Sequence, residues 1–342
     1  MTKTNQQKVK DFLINNGVII VMFILVIYTG FTSDNFFTKN NFMNILMNMS
    51  SRLVIALGIA GCVITAGCDL SAGRMIGFGA CISGMLLQRM DYSGKFFPDM
   101  QPLNVFVVAL IAMLVCAAFG TVTGFFIAYL NVPPFIATLA MMEIVYGIGL
   151  IVTNATPLGG YVEQYTNVSN GKFLGINYLI WIAIIVAAIT WFIFNMTRHG
   201  KYMYAIGGNP QAAEVAGVPV KATLILIYMK AAAMYGLAGF MLGAKAGGAS
   251  VQTGYGYEME AIAACTIGGV SVTGGRGKVS SAIIGVAVFE LLKVALQYLG
   301  MNANAQYIAI GVVIFIAISL DIRKYIACLL YTSDAADDLI GV

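Results

Sequence analysis

Six residues combine a charge or a hydroxyl with a place inside or beside apolar sequence: Asp69, Ser71, Arg74, Glu258, Glu260 and Ser271. Carboxylates accept hydrogen bonds and a guanidinium donates them, so such a set suits a solute rich in hydroxyls that must pass an apolar barrier. Asp69 and Arg74 flank a turn that Gly73 permits, and both stand at helix ends; they either touch such a solute or cap a broken helix. Glu143, Lys230, Glu290 and Lys293 add charge within apolar runs. Charge there is costly unless it is paired or turned to a cavity. Glu290 and Lys293 are spaced for a local ion pair on one helix face, or for lining a pore. Lys230 needs a partner from another helix, for which Glu143 is a candidate.

Other chemistries are excluded by what is missing. A phosphate-binding loop needs G-x-x-x-x-G-K-[ST]. The nearest approach, Gly277-Lys278, has Val272 in place of the first glycine and Val279 in place of Ser/Thr. Metal ligation is disfavoured by a single histidine, His199, and by six scattered cysteines, Cys62, Cys68, Cys81, Cys116, Cys265 and Cys328, five of them in apolar stretches where they act as small hydrophobes. No nucleophile and base stand together. The chain is not expected to be an enzyme or to bind a cofactor, so any energy must come from a partner.

The elements that position these residues follow from composition. The 342 residues are 59% hydrophobic and 10% charged with a mean hydropathy of +0.85, whereas soluble domains carry about 25% charged residues. A water-soluble enzyme is excluded. Crossing a bilayer takes roughly 20 apolar residues, so the hydrophobic fraction corresponds to about ten spans. Apolar runs lie at about 17–31, 53–67, 75–90, 103–130, 135–152, 176–195, 222–243, 258–273, 279–297 and 306–322. The expected fold is an all-α polytopic membrane protein, with an uncleaved first helix rather than a signal peptide. The net charge of +4 is small and no basic run occurs, which argues against nucleic acid.

With the N-terminus in the cytoplasm, Lys3, Lys8, Lys10, Arg74, Arg198, Lys201, Lys221, Arg276, Lys278, Arg323 and Lys324 fall inside, and Lys39, Arg52, Arg89, Lys95, Lys172 and Lys245 outside. That bias satisfies the positive-inside rule. The spans at 53–67 and 258–273 are short and end in glycine breaks, Asp69-Leu70-Ser71-Ala72-Gly73-Arg74 and Gly274-Gly275-Arg276-Gly277-Lys278. Such breaks must be buried in protein or face water, and they often mark a transport path. Their likeness also admits a duplicated half. Gly120 with Gly124, and Gly239 with Gly243, have the spacing for close helix packing, within the chain or against a second copy.

The longest inside segment, 196–221, carries the most specific pattern. Asn209 is placed to cap a helix, Pro210 suits its first position, and Gly217 and Pro219 stop it. About two turns are too short to be stable alone and want a partner surface. Ala212 and Ala213 give this helix a narrow face, with Glu214 at the edge.

Gly208-Asn209-x-x-Ala212-Ala213-x-x-x-Gly217 resembles the cytoplasmic coupling helix of ABC importer permeases. Asn195-x-Thr197-x-x-Gly200, Asp69-Leu70-Ser71-Ala72-Gly73, Pro134-Phe135-Ile136-Ala137-Thr138-Leu139 and Tyr257-Glu258-x-Glu260-Ala261-Ile262-Ala263-Ala264 resemble the ribose/galactose branch of that family, over about residues 10–327. The resemblance implies a permease in the bacterial cytoplasmic membrane with both termini cytoplasmic. It implies a homodimer with two ATPase subunits holding ATP and magnesium, a periplasmic or lipid-anchored sugar-binding protein, and a monosaccharide cargo, galactose or methyl-galactoside foremost and ribose next. It also assigns ATPase contact to Gly208, Asn209, Ala212, Ala213, Glu214 and Gly217. Glu260, Arg276 and Lys293 depart from the branch, which usually has aspartate, a small residue and asparagine there. An ion-coupled carrier working without an ATPase is the alternative, and it has no use for an isolated two-turn helix.

The last stretch, 328–342, is acidic and small-residue-rich and reads as a translated sequencing adapter. Without it the permease domain comprises 327 residues with 19 basic and 12 acidic side chains.

Overall fold

The computed structural model describes residues 20, 22–302, 304–316 and 319. The basic N-terminal residues, Arg323, Lys324 and the 328–342 stretch lie outside the described residues, as do the outer ends of the first and last apolar runs. The helices are α1 (Met22–Thr32), α2 (Lys39–Ile64), α3 (Ala72–Leu86), α4 (Val105–Tyr129), α5 (Pro134–Thr153), α6 (Glu163–Asn170) and α7 (Tyr178–Met196). They continue with α8 (Arg198–Gly208), α9 (Pro210–Val215), α10 (Val220–Ala246), α11 (Tyr257–Gly268), α12 (Val279–Tyr298) and α13 (Asn304–Ile316).

Polar residues just ahead of the apolar runs start several helices. Asn104 Oδ1 accepts from Phe106 N at 2.9 Å before α4, and Asn177 Oδ1 from Leu179 N at 2.8 Å before α7. Pro134 opens α5, and Asn154, in the left-handed conformation, closes it. Each satisfies or spares an orphan backbone group at a helix end.

Among the described residues six helices, α2, α4, α5, α7, α10 and α12, are long and apolar enough to cross a membrane. The other four apolar runs also carry helices, but shorter ones: α3 has 15 residues and α11 has 12, below the roughly 20 needed to span alone. The segment from 154 to 177 departs from the all-helical expectation. It holds α6 and a two-stranded antiparallel hairpin, Lys172–Phe173 with Ile176–Asn177. Tyr165 anchors it, fully buried, donating to Phe240 O of α10 at 2.7 Å.

The core forms around α10, which packs along α4, α3 and α2. The small residues make this possible. A Cβ on Gly120 or Gly124 would collide with the backbone of Tyr228 or Ile225, and one on Gly239 with Ile76 and Ala80. The four-residue glycine spacing is therefore internal packing. The most apolar stretch of α2 is 78% buried, against 22% for α4. α4 turns Phe106, Leu110, Leu114, Phe125 and Phe126 outward, an apolar surface suited to hydrocarbon.

Candidate functional site

The segment between α7 and α10 is built from its own sequence signals. Thr197 Oγ1 accepts from Gly200 N at 3.3 Å and starts α8. Gly200 lies so close to the carbonyls of Ile193 and Phe194 that no side chain fits, which fixes the angle at which the chain leaves α7. Asn209 Oδ1 then accepts from Ala212 N at 2.9 Å with Pro210 at the first helical position, starting α9. Gly217, at φ +83°, ends the turn. The sequence reading foresaw the second helix and missed the first, and it put Ala213 on the wrong face. Ala213 is 5% exposed, turned into the chain, whereas Ala212, Glu214 and Val215 face out, Val215 at 91%. Gly208, Asn209 and Gly217 are exposed as well.

α8 ties this exposed turn to both glycine breaks. Gly207 packs against the backbone of Ile64 at the end of α2 and of Gly275 in the second break, with no room for a Cβ. Gly275 N donates to Ile64 O at 2.8 Å, and Tyr204 Oη donates to Gly277 O at 2.8 Å. Three segments far apart in sequence thus share one backbone junction beside α9. His199 sits next to it on α8, where burial and the neighbouring Lys230 ammonium hold its imidazole down at about 4, so it is neutral at physiological pH.

The residues read as a path fall into separate groups. Asp69, 1% exposed, accepts from Ser71 N at 3.0 Å and Ser71 Oγ at 2.6 Å, which closes a turn just ahead of α3 without capping it. Arg74 lies between the rings of Tyr146 and Tyr255, 3.9 and 4.3 Å from their centroids, and donates to Gln252 Oε1 at 2.8 Å. Glu258, buried at the start of α11, abuts Gly73. Arg74 therefore faces the loop that follows α10 and does not belong to the inner surface where the topology count put it. Ser271 is in the second break, its N–H donating to Arg276 O at 3.0 Å.

Glu260 belongs to a charge network that spacing did not reveal. It meets Arg52 Nη1 at 2.5 Å and Lys293 Nζ at 2.7 Å, while Arg52 Nε meets Glu290 at 3.0 Å. The expected local pair of Glu290 with Lys293 is replaced by pairing across α2, α11 and α12. Arg52, counted as an outer-loop charge, is mid-helix in α2, because α2 begins at Lys39 and not at 53. Tyr257 presents its ring to both cations, with Arg52 4.9 Å from its centroid. Lys230 lines a narrow cleft with Thr190 and His199; Glu143 stands exposed on α5 and, among the described residues, forms no ion pair with it.

A helical bundle of this composition, with two broken helices joined to a short exposed turn, is that of a membrane permease. The chain belongs to the family described as branched-chain amino acid transport system / permease component, which it matches over residues 41–318. It is 39% identical over 332 residues to the galactose/methyl galactoside import permease protein of Escherichia coli, covering 95% of this chain and 99% of the relative. The protein of the same name from Haemophilus influenzae is 40% identical over 332 residues with the same coverage. The ribose import permease protein of Escherichia coli is 32% identical over 319 residues, 92% of this chain and 96% of the relative. No solved structure matches the chain.

Proposed function

We propose that this chain is the membrane subunit of an ABC importer for a monosaccharide, galactose or methyl galactoside, working as a homodimer on two ATPase subunits that hold the ATP and magnesium. The family and the full-length relatives named for sugar import support the class, and the higher identity to the galactose proteins supports the cargo. The observation that carries the mechanism is the junction of α8 with both breaks. In this reading α9 is the coupling helix, seated in a cleft of the ATPase through Ala212, Glu214 and Val215, with Gly208, Asn209 and Gly217 shaping the turn. Ala213 supports it from behind. Closure of the ATPases on nucleotide moves α8, and α8 moves the ends of α2 and of the second break, so the bundle opens alternately to either side. The four short helices complete the crossing in pairs with their neighbours, giving ten passages, with both termini in the bacterial cytoplasm. A periplasmic or lipid-anchored binding protein delivers the sugar on the opposite face, and Asp69, Ser71, Arg74, Glu258, Glu260 and Ser271 border the way through.

Uptake of radiolabelled galactose in cells carrying the matching ATPase and binding protein tests this reading. Val215→Asp, on an exposed position, is expected to lower uptake about tenfold or more, equivalent to about 1.4 kcal/mol of coupling, while expression is kept. Unchanged uptake overturns the coupling role of α9. Failure of an ATP-binding subunit to co-purify with the wild-type chain overturns the importer class. Ala213→Asp is the poorer probe, because that side chain packs inside.

A further inference from the structure

The start of α2 and the end of α12, remote from α8 and α9, carry polar side chains in register. Asn41, Asn44, Asn48 and Arg52 follow one another at three- or four-residue steps along α2, and Glu290, Lys293 and Gln297 do the same along α12. Residues so spaced share one face of a helix. The two polar stripes line a common space. An open cleft of about 530 Å³ lies between them; its polar wall is Asn41, Asn44, Asn48, Lys245, Gln297 and Tyr298, and Ile45, Met47 and Val294 make up the rest. That volume is within the range of about 300–1,000 Å³ of small-molecule sites. Below it, Arg52 stands one turn beyond Asn48 and Lys293 one turn before Gln297, so the ion network with Glu260 and Glu290 forms the floor.

The chemistry of the wall is specific. Lys245 is held by Asn48, and Asn41 Nδ2 donates to Phe36 O at 2.7 Å. The amides of Asn44 and Gln297 make no hydrogen bond among the described residues and are exposed to the space. Amides donate and accept at once, which matches hydroxyls that do the same, and Tyr298 adds a ring. Among the described residues the wall carries one cation, Lys245, held by Asn48 and close to the Glu290 carboxylate, and its other polar groups are uncharged, which suits a neutral polar solute.

We infer that this cleft is the reception site where the permease holds a neutral monosaccharide before translocation, with Asn44 and Gln297 as its hydrogen-bonding contacts and the Arg52, Glu260, Glu290 and Lys293 network as its closed floor. The inference rests on the sugar-importer reading above and adds the place where the sugar is held.

The test uses the whole complex, permease with ATPase in proteoliposomes and saturating galactose-loaded binding protein, and measures galactose imported per ATP hydrolysed. Because Asn44 and Gln297 support nothing else in the fold, the double variant Asn44→Leu with Gln297→Leu should keep its assembly with the ATPase and its ATP hydrolysis. Galactose per ATP is expected to fall roughly tenfold once neither amide can hydrogen-bond the sugar, and Asn44→Gln with Gln297→Asn should restore at least half of it. A double leucine variant that imports at the wild-type ratio overturns the site. A polar pair that restores nothing, beside a leucine pair that also loses ATP hydrolysis, overturns it as well, since the residues would then be structural. A wild-type complex that hydrolyses ATP but imports no galactose overturns the importer reading itself, which separates the two failures.

Discussion

The chain breaks twice within apolar sequence, after α2 and after α11, and both breaks open on the same turn. After α2, Ala66 and Gly67 donate to the carbonyls of Val63 and Cys62, each at 2.9 Å; after α11, Gly269 and Val270 donate to those of Thr266 and Cys265 at 3.0 and 2.9 Å. In each the first donor is left-handed, Ala66 at φ 57° and Gly269 at φ 101°. The continuations then differ. The first break is held by Asp69 on Ser71 and by Thr138 of α5, whose Oγ1 donates to Cys68 O at 3.2 Å, and it leads straight into α3. The second has three further glycines at positive φ, exposed Arg276 and Lys278, and is held by other elements, through Tyr204 and Ile64. Equal turns thus serve unequal tasks. One break is a fixed start for a half-helix, and the other is a strap whose position is set by α8.

The comparison breaks most readily at Gly207, where the two meet. Gly207→Val forces a side chain into the Ile64 carbonyl and the Gly275 N–H, neither of which can swing aside. Overpacking of this kind costs about 1–3 kcal/mol, and here it should disturb both breaks at once. Thermal unfolding in detergent is expected to shift down by several degrees with uptake lost; a variant with wild-type melting and transport would mean the breaks are not mechanically joined.

Exchanging the left-handed residues sharpens the likeness. A left-handed non-glycine residue costs about 1–2 kcal/mol, and a Cβ at Gly269 meets only Ser281 Oγ, at 3.8 Å. Gly269→Ala should therefore destabilise by about that amount through backbone conformation alone. Ala66→Gly should act with the opposite sign and smaller size, below about 1 kcal/mol, because relief of strain is offset by glycine's freedom in the unfolded chain. Two melting curves decide it. The same sign for both would show that the turns only look alike.

These turns show what could be read in advance. The apolar runs located the helices because the membrane leaves few other uses for so many apolar residues. Asn209-Pro210 as a helix start is legible because capping is local, whereas Asp69 holds a turn ahead of α3 and does not cap it. Arg52 is misplaced by the hydropathy pattern because Asn41, Asn44, Asn48, Ser50 and Ser51 interrupt the apolar residues before it; the helix begins there all the same, since those polar residues face other helices and a cleft. The pairing of Glu260 with Arg52 and Lys293 joins residues 208 and 33 positions apart, which no local spacing shows. α8 is hidden by Gly200, Gly207 and Gly208, poor helix formers, of which Gly200 and Gly207 are required by close backbone packing.

If the second break takes its position from α8, whereas the first is tied to α5 through Thr138, cutting the α8 anchor should affect the second break alone. Tyr204→Phe removes one hydrogen bond, to Gly277 O, worth about 0.5–1.5 kcal/mol. The bundle should barely change in melting, yet galactose imported per ATP should fall a few-fold, at an effect of the order of that bond. Full coupling in the phenylalanine variant would mean that the close approach of Gly207 alone carries the motion.

The last effect concerns pH at the same junction. His199 has its folded pKa lowered from 6.5 to about 4 by burial first and by Lys230 second. Above 6.5 the imidazole is neutral in both folded and unfolded chains and contributes no pH dependence. Between 6.5 and about 4 the unfolded chain takes up a proton that the folded one refuses, so stability falls as pH falls through that window and levels off below it. His199→Gln should remove this slope while leaving melting at pH 7 to 8 unchanged. Since no charge appears on α8 between pH 7 and 5, transport should carry no His199-dependent pH profile there; one that vanished in the glutamine variant would show that the strap is set by a titrating charge as well as by packing.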